Sequence, residues 1–299
     1  AKRSCSQRCL STARTKEPKR RLSLGVVMSN LVLRFLTAVV AVPLLILAIQ
    51  WKEPYGVWIW VLIAQVTGLR EWMNMTLPKD PALTRWLGVV AGVAFGNLLC
   101  WVPSAHLQQF GLFAVTGFGL LYFLFAHGNI ETVAARMSMW MLGVLYAGVL
   151  IVPLVMFKTA PKLGGGFIYV CLSSAGGSDT GAYFAGRFLG PYIPAKLWPE
   201  VSPKKTWIGS VGGIFGSLLA LTIAKLWYLP SLNWLDVFAI AIPANILGQL
   251  GDLIESLIKR SVGVKDSGVL LPGHGGMLDR IDALLLVVPY VYVYAFLRF

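Results

Sequence analysis

The stretch SMWMLGVLYAGVLIVPLVMF, residues 138–157, decides the class of fold. It contains no ionised side chain, and a helix of this length is about 30 Å long, which matches the hydrocarbon core of a bilayer. Similar apolar runs recur along nearly the whole chain. The sequence therefore predicts an all-α, polytopic membrane protein. We place its hydrophobic segments at 31–51, 55–70, 86–102, 108–126, 138–157, 166–188, 207–228, 234–250 and 281–297.

The composition of the 299-residue chain excludes the other common classes. The chain is 57% hydrophobic and only 13% charged, whereas soluble domains carry about 25% charged residues. So much apolar surface also excludes intrinsic disorder. The four cysteines have no spacing typical of a disulfide framework or a zinc site. No internal repeat supports a transporter built from inverted repeats.

The net charge of +13 is unevenly distributed. If the N-terminus is cytoplasmic, most basic residues of the connections fall on the cytoplasmic side. The opposite side then holds only Lys52, Lys158, Lys162 and Arg298. Because positive charge concentrates in cytoplasmic loops, this bias predicts about nine transmembrane helices with the N-terminus inside.

A basic tail precedes the first apolar segment. Its lysines and arginines could bind anionic lipid or nucleic acid, but we interpret it as a disordered tail and expect no nucleic-acid partner. Residue 1 is not Met, and Met28 stands just before the apolar run. Residues 1–27 could therefore be a leader, an upstream extension or a cloning remnant. We divide the rest into N-terminal transmembrane helices, 28–178, and a C-terminal catalytic region with cytoplasmic loops, 179–299.

Acidic residues concentrate near the C-terminus, where five of the 13 lie between positions 252 and 282. Ionisable groups at membrane depth are costly and usually functional. If GDLIESLIKR, residues 251–260, forms a helix, its apolar residues share one face. The other face carries Asp252, Glu255, Ser256 and Lys259. This polar face either lines a cleft or belongs to an ordinary amphipathic helix at the membrane surface.

The next stretch favours the cleft. It reads KDSG at 265–268 and PGHGGMLDRID at 272–282. Glycines beside a histidine let backbone N–H groups approach a ligand closely, and such amides, together with Lys and Arg, suit phosphate oxygens. A hard divalent cation such as Mg²⁺ prefers oxygen ligands, which are available from Asp252, Asp266, Asp279 and Asp282. The pattern predicts a site for a metal–polyphosphate complex.

Three motifs resemble the phosphatidate cytidylyltransferases, also called CDP-diacylglycerol synthases. One is S-x-x-K-R at 256–260 followed by the two stretches just quoted; the others are DTGAYF-x-GR at 179–187 and SPKKTW at 202–207. The close resemblance covers residues 179–282, and the earlier part agrees in hydropathy and in features such as Arg70-Glu71. Ile208 stands where the family usually has Glu. If that Glu binds metal or nucleotide, its absence would weaken activity, unless the change is an engineered one.

The resemblance implies an Mg²⁺-dependent reaction of CTP with phosphatidic acid that gives CDP-diacylglycerol and pyrophosphate. It implies Asp252 and Asp279 as the main metal ligands, with Asp266 and Asp282 nearby. The other implied catalytic residues are Lys259, Arg280 and His274, and the implied substrate-binding residues are Asp179, Arg187, Ser202, Lys204, Lys205, Thr206, Ser256, Arg260, Lys265, Gly275 and Gly276. The alternative for each basic residue is a topology signal, and for His274 it is a loop-shaping or phosphate-contacting role.

The resemblance also implies a multi-pass protein of the cytoplasmic membrane, with its active site facing the cytoplasm. Because the lipid must reach the same cleft, we expect a polar cavity open to the cytoplasm and to the inner leaflet. The resemblance allows a second cation and a homodimer. Two other functions stay open: a CTP-dependent transferase acting on another lipid phosphate, and an ion or solute transporter.

Overall fold

The computed structural model describes residues 39–160, 162–268 and 275–299. The basic tail 1–27 and His274 lie outside these residues. The helices are α1 (Val39–Gln50), α2 (Tyr55–Thr76), α3 (Ala82–Trp101), α4 (Ala105–Phe125), α5 (Ile130–Val149), α6 (Pro153–Thr159), α7 (Gly165–Phe188), α8 (Trp207–Trp227), α9 (Trp234–Ser261) and α10 (Leu278–Arg298). A hairpin of β1 (Lys196–Trp198) and β2 (Ser202–Thr206) lies between α7 and α8.

The described helices confirm the all-α class and an integral membrane protein. Among the residues that the structure describes, six helical spans are long and apolar enough to cross a membrane: α3, α4, α5 with α6, α8, α9 and α10. Helix α1 is apolar but short. Helices α2 and α7 have the length, at 22 and 24 residues, but they carry polar side chains along their course. The total of nine spans stays a prediction.

Several predicted boundaries were wrong for local reasons. The stretch 138–157 is not one helix, because α5 ends at Val149 and α6 begins at Pro153, a residue that lacks the N–H a helix interior needs. Helix α2 continues past the predicted residue 70 to Thr76, because Trp72, Met73 and Met75 extend its buried face. The hairpin occupies a connection that we had expected to be a loop; β1 and β2 pair antiparallel, with Lys196 opposite Thr206.

The N-terminal helices α2, α3 and α5 pack around two fully buried tryptophans. Trp72 donates its indole N–H to the Met139 carbonyl at 2.9 Å, and Trp140 donates to the Thr84 carbonyl at 3.0 Å. Because buried indole N–H groups need acceptors, these two bonds fix the three helices relative to one another. They hold α2 in place, and α2 carries one residue of the site described below.

The C-terminal helices approach one another unusually closely. Helices α7 and α8 share the most extensive helix–helix contact, and a Cβ added at Gly177 would lie only 2.6 Å from the Gly216 carbonyl oxygen. Helix α9 packs against both, and Ser178 donates to the Asn245 side-chain oxygen at 2.7 Å. Helix α10 contacts α9 and α7 as well as α2, α5 and α6. It therefore joins the two halves of the molecule at the site.

Candidate functional site

The polar face of α9 points into the protein. Glu255 is completely buried and Lys259 is 8% exposed, whereas Leu257 on the apolar face is 49% exposed. An amphipathic helix lying on a membrane surface would instead expose its polar face to water. The surface interpretation of this helix is therefore wrong. The polar face packs inside the protein, and of its four predicted side chains Asp252 lines the neighbouring cavity.

Lys259 joins α9 to the start of α10. Its ammonium lies 2.9 Å from Glu255 Oε2 and 2.5 Å from Asp279 Oδ1. A buried ammonium is costly unless it is paired and hydrogen-bonded. The two carboxylates therefore hold the Lys259 side chain in one position, with its charge retained.

Asp279 organises the loop that precedes α10. Its Oδ2 accepts hydrogen bonds from Ser267 N at 3.1 Å, Ser267 Oγ at 3.0 Å and Gly276 N at 3.0 Å. Gly275 has φ +80°, a conformation that favours glycine. A Cβ on Gly276 would overlap the Ser267 hydroxyl. The two glycines are thus needed for the loop to close around the carboxylate.

Glu71 on α2 completes this network, and we had not predicted it as a site residue. Its Oε1 accepts from Met277 N at 3.0 Å, and its Oε2 accepts from Leu278 N at 3.0 Å. The same Oε2 lies 3.1 Å from Ser267 Oγ, whose single proton is shared between Glu71 and Asp279. A carboxylate at a helix N-terminus satisfies free N–H groups and complements the helix dipole. The sequence offered only the pair Arg70-Glu71 inside an apolar run as a signal.

Asp252 and Asp282 form a second carboxylate group beside Glu255. Asp252 pairs with Lys205 at 2.7 Å and accepts a hydrogen bond from Ser256 Oγ at 3.2 Å. Asp282 lies near enough to interact with both Asp252 and Glu255. Glu255 Oε1 is buried without a hydrogen-bond donor from the described residues. The structure thus brings Asp252 and Asp279 into one chain of interacting side chains.

A cavity of about 520 Å³ adjoins this network, between α7, the hairpin, α8 and α9. Thr206, the last residue of β2, caps α8 by accepting a hydrogen bond from Gly209 N at 3.1 Å. Lys205 also donates to the Gln249 carbonyl at 3.3 Å, which places its ammonium at the cavity wall. The predicted residues that line the cavity are Asp179, Arg187, Lys204, Lys205, Thr206 and Asp252.

Other predicted residues lie outside the cavity lining. Lys265 and Asp266 are exposed on the loop. Arg260 donates to the Val264 carbonyl at 3.2 Å, in the loop just after the end of α9. Arg280 is exposed on α10 and interacts electrostatically with Asp179. Ser202 is half-buried in β2, and Ile208 is half-buried in the first turn of α8.

The carboxylates fit magnesium through their chemistry. Within the described ranges, no three His, Cys, Asp or Glu side chains form a ready-made metal cluster. Mg²⁺, however, is usually bound by one or two carboxylates together with substrate phosphates and water. Asp252 and Asp282, beside the buried carboxyl group of Glu255, would supply such an oxygen donor set.

The fold and the site define an integral membrane enzyme suited to anionic substrates. The chain belongs to the cytidylyltransferase family, whose sequence profile matches residues 32–298. It is therefore a nucleotidyltransferase, as the motifs indicated.

Curated relatives cover most of the chain. It is 32% identical to the phosphatidate cytidylyltransferase of Staphylococcus aureus (strain COL) over 260 residues, which is 86% of this chain and 95% of the relative. The Staphylococcus epidermidis (strain ATCC 12228 / FDA PCI 1200) protein of the same name is 32% identical over 259 residues, with the same coverage. That of Bacillus subtilis (strain 168) is 40% identical over 151 residues, 50% of this chain and 55% of the relative.

Proposed function

We propose that the protein transfers the cytidylyl group of CTP to phosphatidic acid, giving CDP-diacylglycerol and pyrophosphate in phospholipid biosynthesis. The buried Lys259–carboxylate network beside a basic cavity is the observation that carries this proposal. Relatives named phosphatidate cytidylyltransferase support the choice of substrates.

In this reaction a phosphatidate oxygen attacks the α-phosphorus of CTP, and the bond from that phosphorus to the α–β bridging oxygen breaks. Both reactants are anionic, so catalysis consists mostly of positioning and charge neutralisation. Arg187, Lys204 and Lys205 line the cavity and supply positive charge for the phosphates. No dedicated base is required, because the second pKa of a phosphate monoester is about 6.

We propose that Asp252 and Asp282 would hold Mg²⁺. Asp279, which the resemblance also implies as a ligand, would join them although its oxygens contact Lys259, Ser267 and Gly276 before the ion binds. When bound, the ion would neutralise the triphosphate and stabilise the attacking and leaving oxygens. Lys205 forms an ion pair with Asp252, and Lys259 forms one with Asp279. These two ion pairs reduce the repulsion between the neighbouring carboxylates before substrate binds. A ligand role for Asp266 stays a prediction, as do a second cation and a role for His274.

We further propose nine spans, a cytoplasmic N-terminus and a cytoplasmic-membrane location with the cavity facing the cytoplasm. The lipid would enter sideways from the inner leaflet. Aromatic side chains on α7 that flank Arg187 support this route, because Tyr183 is 60%, Phe184 51% and Phe188 63% exposed. The division at 178/179 falls inside the continuous helix α7 and, like the homodimer, stays a prediction.

Turnover of the purified full chain with labelled CTP and phosphatidate, with and without Mg²⁺, tests the proposal. We expect labelled CDP-diacylglycerol and pyrophosphate in equal amounts, with activity lost in excess EDTA and restored by Mg²⁺. Full activity in EDTA would contradict the metal assignment. Turnover with an ether-lipid phosphate but not with phosphatidate would favour the other transferase, and solute flux without nucleotide turnover would favour a transporter.

A further inference from the structure

A small basic notch lies between α2 and α3, apart from the cavity described above. It has a volume of about 110 Å³ and is lined by Arg70, Met73, Asn74, Ala82, Arg85, Trp86 and Val89. Arg70 directly precedes Glu71, whose carboxylate holds the loop before α10. The notch is therefore at the same end of the helices as the site, on a different face of α2.

The two arginines of the notch have unused hydrogen-bonding capacity. Within the described residues, the Trp86 ring is the one charge or ring partner of Arg70, and its centre lies 5.5 Å from the guanidinium carbon. Arg85 uses a single nitrogen, Nη1, to donate to the carbonyls of Leu77, Pro78 and Asp80. In the part of the chain that the structure describes, no acidic side chain lines the notch. Positive charge near the hydrocarbon region is costly, so this pair favours an anionic ligand.

Apolar side chains continue from the notch along both helices towards the middle of the membrane. Trp86 and Val90 on α3 are 48% and 61% exposed, and Ile63 on α2 is 46% exposed. A ligand with a phosphate at one end and hydrocarbon chains at the other would match this arrangement. A water molecule occupies about 30 Å³ in the liquid. The volume of the notch is therefore that of a few water molecules, which is enough for a phosphate group but little more.

We propose that this notch binds a membrane lipid through a terminal phosphomonoester, and that the lipid is phosphatidate. A phosphomonoester carries about −1.5 to −2 charge near neutral pH, so it matches two guanidinium groups better than the single charge of a phosphodiester lipid. Arginine binds phosphate oxygens through two parallel hydrogen bonds. The choice of phosphatidate rests on the proposed function. The notch would hold substrate next to the helix that carries Glu71.

Counting bound lipids by native mass spectrometry of the full chain, without CTP, tests the notch. With phosphatidate as the probe, we expect two lipids per chain in the wild type, one in the cavity and one in the notch. Arg70→Gln should weaken the binding of the second lipid about tenfold. Arg70→Lys keeps the charge but cannot donate two parallel hydrogen bonds, so it should have a smaller effect. Lys79→Gln is the matched control, because Lys79 is exposed at the same end but outside the notch.

Three results would overturn the proposal. Arg70→Gln could bind both lipids as tightly as the wild type, phosphatidylglycerol could occupy the notch as tightly as phosphatidate, or inorganic phosphate at equal concentration could displace the lipid. Size-exclusion chromatography and thermal unfolding establish that Arg70→Gln is folded. Binding is measured without turnover, so a wild type that lacks cytidylyltransferase activity would refute the proposed function and leave the lipid count interpretable.

Discussion

Two buried ion-pair clusters lie at the same end of the helices, and they differ in how completely their polar atoms are satisfied. In the N-terminal half, Arg136 holds Asp80 through a bidentate pair and also donates to the His127 carbonyl at 2.5 Å. In the C-terminal half, Lys259 joins Glu255 and Asp279, and Glu255 keeps a buried oxygen without a donor from the described residues.

This difference separates a structural clamp from a site. The Asp80–Arg136 pair balances one charge with one charge and fastens the turn before α3 to α5. The Lys259 cluster has neighbouring carboxylates, an unpartnered oxygen and an adjoining cavity, so a cation and a phosphate could still be accommodated. Burial of charge alone therefore does not identify a functional site. Buried charges that are not balanced by a partner, next to a cavity, do.

The comparison predicts its largest effect at Asp279. Asp279→Asn should lower turnover by at least about 100-fold, the scale of losing one electrostatic stabiliser of a transition state, because it removes a charge that organises both Lys259 and the loop. Steady-state turnover of the purified variant measures this loss. Glu131→Gln, which neutralises an exposed carboxylate in the first turn of α5, is the control. Near-normal turnover in Asp279→Asn would remove the basis for the metal assignment.

The next largest effect is expected at Glu71. In Glu71→Gln an amide NH₂ would face backbone N–H groups that now donate to a carboxylate, so we expect kcat to fall about ten- to hundredfold. KM for CTP should change little, because Glu71 positions the loop and does not line the cavity. Glu53→Gln, at the exposed opposite end of α2, should behave as wild type. An effect on KM alone would refute the positioning role.

A smaller effect is expected at Lys205, on the cavity wall. Lys205→Gln should raise KM for CTP about tenfold, the cost of one charge-assisted contact, with a lesser change in kcat. Lys196→Gln tests the same hairpin with an exposed lysine outside the cavity lining. If the two variants have equal KM values, Lys205 does not contact the nucleotide.

No catalytic effect is expected in the other cluster. Arg136→Gln should destabilise the protein by about 3 kcal/mol, because it leaves the buried Asp80 carboxylate without its partner. Turnover per folded molecule should stay within twofold of the wild type. Thermal unfolding in detergent, followed by activity at a temperature where the variant is folded, separates the two quantities. Lost turnover with unchanged stability would break the distinction between clamp and site.

Much of the site was predictable because its residues are close in sequence. The helical period of about 3.6 residues placed Asp252, Ser256 and Lys259 on one face of α9, and the glycines near Asp279 indicated a tight loop. Asp266 and Lys265 share the same motif, yet they lie exposed on the loop, because proximity in sequence does not fix the direction of a loop side chain. Glu71 could not be placed, since it is about two hundred positions from the loop it holds.

The sequence by itself determined the class of protein, the family and the polar face of α9, because apolar length and helical period are local properties. Tertiary packing alone decided that this polar face is buried, that Glu71 caps α10, and that Asp80 and Arg136 form a clamp. Each of these features depends on contacts between helices that are far apart in the sequence. Whether a buried charge is balanced depends on all the side chains that the fold brings near it.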